Sequence, residues 1–139
     1  MSAQAPAAQP GGGVLRPGLV VDAAAGVAYV MAAAGGIAAV DLTSGAPRWT
    51  STAAGKPLAL AGDLLVAQVQ PRAPGSPLEI VTLRTRARGE RAARATARLP
   101  SGVRATLGET LHGTFNLSAQ AAGADVILHW TFLPEPRRG

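Results

Sequence analysis

Cysteine is absent from this chain, which excludes disulfides, thiolate nucleophiles and cysteine-ligated zinc. Its absence leaves the compartment open, since such a chain suits oxidising and reducing surroundings alike. Aromatic residues are scarce, at 4% of 139 residues, and alanine supplies much of the 47% hydrophobic content. Alanine buries little area, so the core is thinner than that percentage suggests. No apolar run reaches the roughly eighteen residues of a membrane-spanning helix, so no membrane span is expected. Met1 to Gly13 lacks the basic and apolar regions of a secretory signal; residues 1–17 read as a flexible Ala/Pro/Gly-rich leader. Lysine occurs once, at Lys56, among thirteen Lys and Arg residues, and the formal net charge is +5. An Arg- and Ala-rich bias of this kind also has a compositional origin in a GC-rich genome, which weakens basicity as a functional argument.

Seventeen glycines and eleven prolines punctuate the chain, favouring many short strands over long helices. The reading is all-β. Strands are expected at Gly18 to Val21, Val27 to Met31, Ile37 to Asp41 and Pro47 to Thr52, separated by short turns. The third and fourth enclose Leu42-Thr43-Ser44-Gly45, a polar turn ending in glycine, where a positive φ costs little. Asp41 and Ser44 can pin that turn through its amides. Trp49 brings a large apolar surface and an indole N–H that needs an acceptor if buried.

Ala39, Asp41, Ser44, Gly45 and Trp49 spell A-x-D-x-x-S-G-x-x-x-W. This resembles the tryptophan-docking repeat of PQQ-like (quinoprotein) β-propellers, with Ser44 keeping the hydroxyl of the family's usual threonine. The resemblance covers residues 18–70 well, 78–99 weakly and 114–132 by pattern alone. It implies a bacterial protein of antiparallel four-stranded blades, with Trp49 packed over a peptide plane of the next blade. It also allows a periplasmic or cell-envelope location.

The pattern then repeats loosely. Pro57 to Asp63, Leu64 to Gln70, Leu78 to Arg84 and Ala92 to Leu99 supply a second set of four strands. Laying Ile80 on Ile37 puts Arg84 where Asp41 stands. After one inserted residue, Gly89 or Arg88 replaces Gly45, and Ala93 replaces Trp49. The second copy has therefore lost the docking signature. Thr114 to Gln120 and Val126 to Phe132, joined by a turn at Ala121 to Asp125, suggest a third set. The expected architecture is a partial propeller of two to three blades, at about 18–53, 57–99 and 103–139, the last incomplete.

An unclosed array leaves an apolar blade face at each end. A truncated gene product, assembly with itself or a partner, and closure into a small sandwich are all consistent with that. Truncation is favoured because Pro134 to Gly139 reads as a loop leading onward.

Candidate chemistry is sparse. Arg84, Arg86, Arg88, Arg91, Arg94 and Arg98 face Glu90 alone, a cluster able to neutralise phosphates. No aromatic residue accompanies them for base stacking, so a solvated face is preferred and nucleic acid is not expected. A helix would bring Arg91, Arg94 and Arg98 to one side. His112 and His129 have no metal-ligand spacing, and none of the glycine runs forms a phosphate loop or nucleophile elbow. Asp22, Asp41, Asp63 and Asp125 all fall at or beside expected turns.

In the resembled family, quinone enzymes hold PQQ and a metal on the propeller axis. Here Asn116 is the only asparagine and no convincing ligand set occurs, so no PQQ, metal or catalytic residues are expected. The expected role is a non-catalytic protein-binding or scaffold surface, with a protein partner or self-association through the exposed blade ends. Alternatives are a fragment of a PQQ-dependent dehydrogenase and a basic nucleic-acid-binding β domain.

Overall fold

Short apolar runs cut by glycine-containing turns cannot bury themselves alone, so each strand pairs with the next in sequence. The computed structural model describes residues 15, 17–72, 76–97, 109–110 and 113–134. Among these residues there are eleven strands and no helix. The first sheet consists of β1 (Leu19–Asp22), β2 (Val27–Met31), β3 (Ile37–Asp41) and β4 (Pro47–Ser51). The second consists of β5 (Lys56–Ala61), β6 (Leu64–Gln68), β7 (Leu78–Arg84) and β8 (Glu90–Ala97). Both are antiparallel meanders in chain order. A third sheet has the order β11 (Asp125–Pro134), β10 (Gly113–Ala122), β9 (Glu109–Thr110).

Residue pattern explains which sheet lies in the middle. β6 and β7 carry near-continuous apolar runs, as strands covered on both faces do. Leu65, Ala67, Val81 and Leu83 pack against Tyr29, Ile37 and Ala39 of the first sheet. On the opposite face, Val66, Leu78 and Ile80 pack against Phe115 and Leu117 of β10. Fully burying one such aliphatic side chain stabilises the fold by about 1.5–3 kcal/mol. The second sheet is thus the filling of a three-layer stack.

Lys56 is the unexpected member of this interior. It is only 4% exposed, and its Nζ donates to Asn116 Oδ1 at 3.1 Å and to Leu117 O at 2.9 Å. Gly18 closes over its stem, where a Cβ would lie 2.8 Å from Lys56 Cγ. A buried ammonium is tolerated only when such acceptors replace its water. Here they tie β5 to β10. The same interlayer face of the second sheet holds two buried polar atoms without hydrogen-bond partners among the described residues, Gln68 Nε2 and Thr82 Oγ1.

Strand existence and order agree closely with the sequence reading, and the differences are local. The segment 90–97 is strand β8, so the helical alternative for Arg91 and Arg94 is wrong; its cross-strand partners on β7 hold it extended. The third hairpin turns at Gly123-Ala124, tighter than the expected Ala121 to Asp125 turn, because Gly123 takes φ +62°. Pro134 closes β11 rather than opening a loop. Most of the expected leader, together with Arg98, Leu99, His112 and residues 135–139, lies outside the described residues.

Candidate functional site

The β3–β4 hairpin is held by its own polar side chains. Asp41 Oδ1 accepts from the amides of Thr43 (2.8 Å) and Ser44 (3.0 Å). Ser44 Oγ accepts from the Ala46 amide at 3.2 Å. Gly45 turns the chain at φ +75°, where its N–H donates to Asp41 O at 2.8 Å. Asp41 Oδ2 receives Arg48 Nη2 at 2.8 Å and Nε at 3.1 Å, a two-pronged pair across the hairpin. These donors, the Arg48 side chain first, hold the Asp41 carboxyl down at about 2, against an ordinary 3.8.

A bulge between Ala39 and Val40 leaves Trp49 opposite Ala39, facing the second sheet. Ala39 is fully buried there, and Tyr29 lies tilted against the indole with ring centroids 5.7 Å apart. The indole Nε1–H donates to Thr85 O at 3.2 Å, in the β7–β8 turn. Beneath the ring is Gly89, at φ +73°; a Cβ there would lie 2.5 Å from Trp49 Cζ3. Ser51 Oγ donates to Gly89 O at 3.0 Å. Ala39, Asp41, Ser44, Gly45 and Trp49 therefore form one hairpin whose tryptophan reaches the next sheet's turn.

Burial raises the Tyr29 hydroxyl pKa above its ordinary value, against a smaller opposing effect of its hydrogen bond with Thr85. Arg48, Thr85 and Gly89 complete the joint, and of these the sequence marks only Gly89, as a counterpart of Gly45. Arg48 occupies an unspecified position of the motif. The Thr85 acceptor is a backbone carbonyl, which no side-chain pattern announces.

The second sheet repeats this layout without its tryptophan. Thr82 is opposite Ala93, as Ala39 is opposite Trp49, and each pair adjoins a bulge. Gly89 N–H donates to Arg84 O at 2.9 Å, as Gly45 does to Asp41. One more residue fits into this turn, and Arg88 joins Gly89 at positive φ. Exposed Ala93 takes the place of the docking residue.

The fold divides the arginine stretch. Arg86 lines a cleft with Asp22, Arg48 and Asp63, at one end of the joint between the first two sheets. Arg91 and Arg94 line a different cleft with Arg72 and Glu79. Exposed apolar side chains remain at both outer layers: Leu19 and Val21 on the first sheet, Ile127, Trp130 and Leu133 on the third. His129 is exposed opposite Ser118, and no cluster of three His, Cys, Asp or Glu residues occurs among the described residues. No helix among them is long and apolar enough to cross a membrane.

No known protein family matches this chain, and neither a curated protein nor a solved structure matches it.

Two outcomes follow from the hairpin. Replacing Trp49 by alanine removes the interlayer contact and orphans Thr85 O, and should cost about 3 kcal/mol in a denaturant titration. A midpoint within error of wild type would mean that the indole holds nothing. The depressed Asp41 value stabilises the hairpin above the ordinary carboxyl range, and that stabilisation is lost as pH falls from about 4 toward 2. Asp41→Asn should therefore be less stable than wild type at neutral pH, with the gap in melting temperature closing near pH 2. A gap independent of pH would contradict this.

Proposed function

We propose that this chain supplies consecutive blades of a PQQ-like β-propeller and acts, without catalysis of its own, as a binding surface for another protein. The observation that carries the reading is the Trp49 joint. An A-x-D-x-x-S-G-x-x-x-W hairpin ends one four-stranded meander and seats its indole on the corresponding turn of the next. Repeated glycine turns and bulges in β3–β4 and β7–β8 add a second line of support. Each polar motif side chain is engaged in the hairpin or across the joint: Asp41 with Arg48, Ser44 with Ala46, Trp49 with Thr85. The motif thus serves assembly of layers, and the open outer faces offer apolar side chains such as Leu19 and Leu133 to a partner.

The test is cross-linking in the source cells followed by reconstitution of each captured protein with the purified chain. The proposal expects a saturable complex with a defined partner. It also expects no dye reduction when the chain is supplied with PQQ and calcium. PQQ-dependent dye reduction would favour the dehydrogenase alternative. Oligonucleotide affinity falling steeply with salt, without a protein complex, would favour the nucleic-acid alternative.

A further inference from the structure

Resting on that reading, we infer that the cleft between the first two sheets receives an acidic segment of the protein partner, with Arg72, Arg91 and Arg94 as its anion-binding groups. The cleft measures about 1010 Å³. Its lining includes the Ala32–Gly36 turn and the crossover at Thr52–Gly55 on one side, and Val69–Arg72 with β8 on the other. Met31, Val69 and Val81 contribute apolar surface.

Strand geometry explains how two arginines three residues apart share this cleft. In a regular strand, positions i and i+3 point to opposite faces. In β8 the register runs Leu83↔Arg91, Thr82↔Ala93, Val81↔Arg94, so Ala92 is an extra residue. The bulge returns Arg91 and Arg94 to one face, shared with Val81 and Leu83, which pack toward the first sheet. Arg72 reaches the same cleft from the segment after β6.

Against these three cations stands Glu79, whose Oε2 is 3.9 Å from Arg94 Nε. That separation is too long for a charge-assisted hydrogen bond, which is about 2.7–2.9 Å. Among the described residues Arg72 and Arg91 have no carboxylate partner. An excess of guanidinium forks beside apolar surface fits a ligand that alternates carboxylates with aliphatic side chains. A nucleic-acid strand is disfavoured because no aromatic residue lines the cleft and Arg86 lies in the other one.

The probe is a capped synthetic peptide of roughly eight alternating Glu and Leu residues, an extended ligand of the kind that lies along sheet surfaces. Titration calorimetry with the full chain should show saturable binding that weakens with added salt. Replacing the peptide's Glu residues by Gln should weaken it about tenfold, as should Arg91→Gln with Arg94→Gln, for two partly screened ion pairs. Arg84→Gln, at the exposed end of β7 and lining neither cleft, should leave the affinity unchanged; circular dichroism checks that each variant is folded. Binding insensitive to the Arg91 and Arg94 changes would overturn the inference, as would no heat of binding at millimolar peptide. Tighter binding of pyrophosphate or of a single-stranded oligonucleotide, abolished by the same changes, would also overturn it. A reconstituted partner complex that tolerates those two changes removes this site while leaving the proposed function intact.

Discussion

The first two layers share an aliphatic core, and what sets the position of one against the other at its edge is an indole seated against a backbone turn. Trp49 has a flat apolar ring with a single donor, and the β7–β8 turn offers a matching surface: a carbonyl at Thr85 and bare backbone at Gly89. A side chain at Gly89 would push the ring away, and its positive φ makes most residues costly there. Ring, carbonyl and glycine form one unit, from chain segments far apart in sequence. Asp41, Ser44 and Arg48 act one step back, by fixing the hairpin that aims the tryptophan.

The second joint solves the same packing problem with different chemistry. Ala93 occupies the register position of Trp49 and supplies no ring. The second and third layers meet instead through Phe115 and Leu117 against Val66, Leu78 and Ile80, while buried Lys56 reaches Asn116 and the Leu117 carbonyl. This joint is more polar, with Gln68 Nε2 and Thr82 Oγ1 buried and unpartnered among the described residues.

Much of the fold was legible because its signals are local. Ile37 to Asp41, the polar turn and Gly45 identify a hairpin from spacing alone, and Val27 to Met31 and Leu78 to Arg84 have the bounds expected from their apolar runs. Laying Ile80 on Ile37 with one inserted residue puts Ala93 in the place of Trp49, and Ala93 pairs with Thr82 as Trp49 pairs with Ala39. What escaped is what depends on breaks in period or on distant backbone. The bulge at Ala92 changes which arginines share a face, so Arg91 and Arg94, both exposed as a solvated face requires, are also neighbours in a cleft. Lys56 carries no sequence mark of burial, since its acceptors lie on β10. The partners of Trp49 are a carbonyl and a hydrogen atom at position 89, neither of which is visible as a side-chain type.

The central claim is that the Trp49 indole joins the first two layers through Thr85, and hydrogen exchange at the two indole N–H groups tests it most directly. The Trp49 Nε1–H should exchange only through opening of the joint, with protection approaching that of the buried amides of β7. The indole of Trp130, whose residue is 40% exposed, serves as the reference in the same spectrum. Exchange of the Trp49 indole at the rate of a free indole would contradict the account.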